Sequence, residues 1–320
     1  MSVPRILPTA VMSKDLRLRM RGWRWAGVAT LYVAILGAIA IVFLLQKYNP
    51  TAGSTGTSAP ALAGLKLFQT LSIFQLFLIA FVTPATVAGA ISGERQHRTW
   101  DLLMASRAPA RDIIWGKLLA GISFNLVLIG ASLPVFSLVF LFGGIGPSDW
   151  IPPFTVFLVT VLFLGAISMT VSALTARLTV SFMVSILIAL LLTVGLSLLA
   201  LYLQAPGQLG VVTLGSVPFQ TFNQPSPLTP LAQLDPLVAL LSALPAESGG
   251  TLLGQLGTVH HAFGLPWQLP WWGAYTLLAG VISLVLILTT TRLVRPAARF
   301  SSRGIRRGPA GTPAPLGDRR

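Results

Sequence analysis

The chain has 320 residues, of which 54% are hydrophobic and only 9% charged, and its mean hydropathy is +0.78. A soluble domain of that length exposes far more charge, so the composition points to a membrane protein. The formal net charge of +14 does not indicate nucleic acid, because the basic residues fall in short clusters beside apolar runs. Cysteine is absent, which excludes disulfides, thiolate metal sites and a cysteine nucleophile.

Residues 1–25 read as a basic lead-in. Over Val11–Trp25, Met12, Leu16, Met20 and Trp23 share one helical face, with Lys14, Arg17, Arg21 and Arg24 on another. This pattern predicts an amphipathic helix in the membrane interface, with Trp23 and Trp25 at headgroup level. An ordinary basic flank that anchors the topology is the plainer reading.

A hydrocarbon core of about 30 Å needs roughly 20 apolar residues as a helix. Six segments meet that length: Ala26–Leu45, Leu67–Ser92, Leu118–Phe142, Phe154–Ala176, Leu178–Leu203 and Trp271–Thr291. None contains Asp, Glu, Lys, Arg or His. Continuous apolar runs satisfy their backbone in lipid only as helices, so residues 26–291 are expected to form an all-α, six-span integral membrane domain. A cleaved signal peptide is the rival reading of the first segment, but that run exceeds the roughly 7–15 residues of a signal core. The short Thr175–Thr179 turn makes the fourth and fifth spans antiparallel neighbours.

Pro84 and Pro134 lie inside the second and third spans, where proline removes a backbone donor and kinks a helix. Gly89 with Gly93, and Ser168 with Ser172, give small-residue pairs at a spacing common in membrane helix contacts. The outside segment, residues 204–270, has no Lys or Arg. Its apolar Leu231–Leu244 run is too short to span and reads as a re-entrant or interfacial helix in touch with lipid. The tail, residues 292–320, is rich in Arg, Gly and Pro and is expected to be disordered against anionic lipid.

Lys and Arg set the orientation. With the N-terminus in the cytoplasm, twenty of the 22 basic residues fall inside, and only Lys47 and Lys66 fall outside. Both termini are then cytoplasmic.

The polar loop between the second and third spans carries Glu94, Arg95, His97, Arg98, Asp101, Arg107, Arg111, Asp112 and Lys117. Thr99, Leu102, Leu103 and Ile113/Ile114 can supply an apolar ridge, rimmed by Glu94, Arg95, Arg98, Asp101 and Arg111, which suits a transient docking surface. The plainer alternative pairs Glu94 with Arg98 at i,i+4 and leaves a loop that only solvates two helix ends. Trp100 and Trp115 read as membrane-interface anchors, as do Trp271 and Trp272 at the start of the last span.

Chemistry of the chain's own is hard to find. Trp115-Gly116-Lys117-Leu118 is the nearest approach to a phosphate-binding loop, yet it has Arg111 where the first glycine is required and Leu118 where Ser or Thr is required. His260-His261 lacks a third ligand at metal-site spacing. No nucleophile–base pair is evident, and the spans offer only Gln69, Gln75, Asn125 and scattered hydroxyls. Ion-coupled carriers place a charge inside the bilayer, so a machine driven from outside the membrane fits better. The competing readings are a secondary carrier or channel, and a non-transport sensor or scaffold.

With these residues in view, the chain resembles the type-2 ABC transporter permeases, membrane subunits of bacterial ABC exporters. The loop carries their pattern as Gly93-Glu94-Arg95, Thr99, Leu102-Leu103, Arg111-Asp112 and Gly116-Lys117. It departs at the turn, where Arg107 stands in the usual proline position and Pro109 follows two residues later. The resemblance implies a multi-pass protein of the bacterial inner membrane that pairs with a second permease copy or homologue. It further implies two separate P-loop ATPase subunits, which bind the ATP and Mg, and a coupling helix within residues 93–117 that docks on them.

Overall fold

The computed structural model of the protein describes residues 23–47, 59–97, 110–199, 233–246 and 270–294. Within them run α1 (Trp23–Lys47), α2 (Ala59–Val87), the short α3 (Ser92–Gln96), α4 (Ala110–Phe142), α5 (Ile151–Leu174), α6 (Leu178–Leu190), the small α7 (Pro236–Ala243) and α8 (Trp271–Leu293). A π-helical turn, Leu191–Gly195, continues α6 to Leu199. Six of these helical stretches are long and apolar enough to cross a membrane.

Helix α5 sits at the centre, packed against α8, α2, α6, α7 and α4. It buries Val156, Phe157, Val161, Phe163, Leu164 and Met169, while Ile151, Leu158 and Leu174 face outward. By contrast, α1 and α6 lie at the edge, each with only 17% of its span buried against 61% for α2. One contiguous core runs from Tyr32 and Leu36 on α1, through Phe68, Leu71 and Phe136, to Tyr275 and Ile287 on α8.

A few polar side chains in the spans join one helix to another, while most hydroxyls bond back to their own helix. Asn125 of α4 donates through Nδ2 to Thr86 Oγ1 (3.0 Å) and to Gly121 O (3.1 Å), and its Oδ1 accepts from Thr83 (3.3 Å). Thr160 and Tyr275 share a hydrogen bond of 2.8 Å between α5 and α8, and Thr170 and Thr290 share another of 2.9 Å. Without water in the bilayer these groups must pair with one another, and that restricts which faces can meet.

At the end remote from the 91–117 loop, Trp150 stacks on Phe140 (4.8 Å between ring centroids) and on Phe154 (5.3 Å), fastening α4 to α5. Gly144 closes the adjacent turn at φ +85, and a Cβ there would stand 2.5 Å from Ala61 O of α2. Only glycine accommodates both demands.

The structure shifts several expected boundaries. Helix α2 begins at Ala59, before its apolar stretch, and α4 begins at Ala110 rather than Leu118. Trp23 opens α1, so the end of the lead-in belongs to the same helix as the first span. The lead-in up to Gly22, His260-His261 and the tail from Arg295 lie outside the described residues. Contrary to the expected lipid contact, the Leu231–Leu244 run is only partly helical. Its helix α7 buries Pro236, Val238, Ala239, Leu240, Ser242 and Ala243 against α5, α8 and α2. The apolar pattern there serves the protein interior.

Candidate functional site

Helix α2 stops at Val87, and four turn residues separate it from α3. A helix that restarts leaves backbone donors without an intrahelical acceptor. Here a side chain from another helix accepts them. Ser172 Oγ, on the last turns of α5, takes the N–H of Ile91 (3.0 Å) and of Ser92 (2.9 Å). It donates in turn to Ser92 Oγ (3.3 Å). Both Ser172 and Ser92 are fully buried.

The same turn is held from α6. Ala88 O accepts from Ser181 Oγ (2.7 Å) and from Ser92 Oγ (2.9 Å). Gln96 Oε1 accepts the N–H of Leu178, the first residue of α6, at 3.1 Å. Arg177 at that helix's N-cap provides no side-chain bond of its own, so Gln96 caps α6 from a distant part of the chain. Arg95 Nη1 donates to Ala173 O (2.7 Å), a carbonyl near the C-terminus of α5, where a cation is also favoured by the helix dipole.

A third attachment runs to α4. Lys117 Nζ lies 2.6 Å from Glu94 Oε1, with the Lys117 side chain 7% exposed and that of Glu94 30% exposed. Thus Gly93-Glu94-Arg95-Gln96, a stretch read from sequence as the start of a docking loop, contacts α4, α5 and α6 together. Gly116, next to Lys117, is buried in α4. Arg111 and Asp112 pair with each other (3.4 Å), and Arg111 is 76% exposed at the start of α4.

Other loop residues lie elsewhere. Arg98, Thr99, Trp100, Asp101, Leu102 and Leu103 are outside the described residues, so neither the Glu94–Arg98 pairing nor the ridge around Leu102 has geometry here. Ile113 and Ile114 do not extend that ridge as expected. They are 1% and 0% exposed and pack inward, because the periodicity of α4 turns them to the protein interior. Trp115 and Trp272 are half-buried against the core, and Trp271 is 5% exposed. Sequence reading singled out neither Ser181 nor Gln96, and it noted Ser172 only as a small residue suited to close packing.

A second polar feature lies apart from the loop. Asp235 caps α7, its Oδ1 accepting from Leu237 N (2.8 Å), and it hydrogen-bonds Ser197 beyond the π-helical turn of α6. Burial pushes its carboxyl up to about 7, against the opposing pull of the bonds from Ser197, Leu237 and Val238.

No cluster of His, Cys, Asp or Glu suited to a metal occurs among the described residues. Among the described residues, the first turn after α2 is hydrogen-bonded or ion-paired to α4, α5 and α6.

Residues 9–301 match the family model described as ABC-2 family transporter protein. The chain belongs to the ABC-2 transporter family. The match takes in all six apolar helices and the loop between α2 and α4. As an ABC-2 membrane subunit, the protein is a permease without a nucleotide-binding domain. No match to a curated protein reaches significance.

Proposed function

We propose that this ABC-2 permease works as a dimer with a second copy or homologue, both termini in the cytoplasm, and exports its substrate at the expense of ATP hydrolysed by separate P-loop ATPase subunits. The loop at residues 93–117 is the docking element. The observation that carries this reading is the fastening of Gly93-Glu94-Arg95-Gln96 to α4, α5 and α6, because force delivered to such a turn is distributed into the membrane bundle. A loop that merely solvated two helix ends would need no bonds to a third and fourth helix.

Charge supports the same reading. The apolar segments read from the sequence contain no Asp, Glu, Lys, Arg or His, while the loop concentrates nine ionisable groups. Dimer formation is supported by the edge helix α1. Leu31, Ile41 and Leu45 on it are each about 60–70% exposed. In the membrane that face meets lipid or a second subunit, and the translocation path lies between the two copies.

The test is purification of the permease with its ATPase, comparing the unaltered chain with the Leu102→Asp/Leu103→Asp variant. The expected result is retention of the ATPase, with its hydrolysis stimulated by the permease, and loss of both in the variant. An ATPase that stayed bound and stimulated by the variant would contradict docking through the loop, as would a permease that moved solute uphill without nucleotide.

A further inference from the structure

The three attachments of the loop's first turn are unequal, and their inequality says which span moves. Building on the docking reading above, we infer that Ser181 and Gln96 are positioning residues that hand the stroke of the ATPase to α6, rather than letting it travel along α2. Between Val87 and Ser92 the helical ladder of α2 is irregular, with the N–H groups of Ile91 and Ser92 diverted to Ser172, so α2 is weakened there as a rod from the loop into the bilayer. The irregular stretch is spanned by bonds to the α5–α6 hairpin: two backbone N–H groups to Ser172 Oγ, Ser181 Oγ to Ala88 O, and Leu178 N to Gln96 Oε1.

Of the two helices in that hairpin, α5 is immobilised at the centre of the bundle and α6 is not. Only 17% of the α6 span is buried, against 56% for the span containing α5. Helix α6 also departs from α-helical geometry at Leu191–Gly195, and a π-helical turn of this kind is a recurrent feature of functional sites in helices. A helix gripped at its N-terminal turn, sparsely packed along its length and irregular near its far end is built to swing. Lys117–Glu94 ties the loop to α4, which is 44% buried and carries Asn125 bonded to Thr83 and Thr86, so that attachment serves as the fixed side.

Spin labels in the cysteine-free chain read this directly. One pair joins α6 to α8 through Met183→Cys and Leu284→Cys, and a second joins α2 to α8 through Phe81→Cys and Leu284→Cys. All three positions are exposed. Labelled subunits are diluted with unlabelled ones, assembled with the ATPase in vesicles, and measured with and without trapped nucleotide.

The α6–α8 distance is expected to shift by a few ångström, on the order of the helix displacements seen in other switching proteins, while α2–α8 stays put. Ser181→Ala and Gln96→Leu are each expected to cut that shift by half or more without releasing the ATPase. Ser181→Thr and Gln96→Glu, which keep a hydroxyl and an acceptor at those places, are expected to restore it. An α6 shift unchanged in both Ser181→Ala and Gln96→Leu overturns the inference, as does a shift in α2 without one in α6. Loss of the ATPase from the unaltered chain, by contrast, contradicts the docking reading beneath it.

Discussion

Lys117 and Glu94, 23 positions apart in sequence, meet in an ion pair of 2.6 Å that closes the base of the polar loop. The lysine is almost wholly buried and the carboxylate is partly exposed, so the two ends of the pair respond differently to substitution. Glu94→Gln strands a cation with little access to water. Removing one partner of a fully buried pair costs about 3–5 kcal/mol, and the exposure of Glu94 lowers the expected loss to roughly 2 kcal/mol. Lys117→Met made together with Glu94→Gln should recover part of that loss. Thermal unfolding of the two single variants and the double variant in detergent measures the coupling, and strictly additive effects would show that the pair contributes nothing.

Three glycines separate fold from docking. Gly144→Ala combines a left-handed φ with a Cβ that would press on Ala61 O, and should destabilise by about 2 kcal/mol or more. Gly143→Ala has a similar φ of +72 but open space around it, so its cost should be nearer about 1 kcal/mol. Gly93→Ala meets nothing within 4 Å. Its thermal midpoint should equal that of the unaltered chain, and any weakening of ATPase binding would then come from the docking surface. A Gly93→Ala chain that unfolds early would place the role of that glycine in the fold.

Asp235 makes stability depend on pH in a definite direction. Its carboxyl is held near 7 in the folded protein against an ordinary value of 3.8. Between those values the folded chain keeps a proton that the unfolded chain has released. Stability from this group is therefore complete below the ordinary value and is lost as pH rises through about 7. Scans between about pH 5.5 and 8 should show the unaltered chain losing more stability than Asp235→Asn, which still offers an acceptor to Leu237 N. Equal pH profiles for the two would remove the buried carboxyl as the cause.

Much of this architecture is written in the apolar run lengths. Ala26–Leu45 and Trp271–Thr291 fall inside observed helices because twenty apolar residues bounded by charge have few other options in lipid. Helix starts were less legible. Arg111 and Asp112 end the hydropathy signal, yet backbone hydrogen bonding carries α4 back past them to Ala110. The break after Val87 was illegible for a different reason. Its donors are satisfied by Ser172, 81 residues from Ile91, and no local pattern announces a hydroxyl that caps another helix. Asp235 lay unremarked within the Leu231–Leu244 run, because nothing local in the sequence announces its burial beside Ser197.

Engine and permease can be joined covalently at the place where they are said to meet. The natural chain has no cysteine, so Leu103→Cys creates a single reactive thiol on the loop. In sealed inverted vesicles a maleimide–benzophenone reagent attached to that thiol should photo-cross-link to the ATPase, and excess unlabelled ATPase should suppress the product. A Leu103→Cys chain that reacts with an impermeant maleimide from the outer face of intact cells, and never captures the ATPase, would put the loop on the wrong side of the membrane for any partner that hydrolyses cytoplasmic ATP.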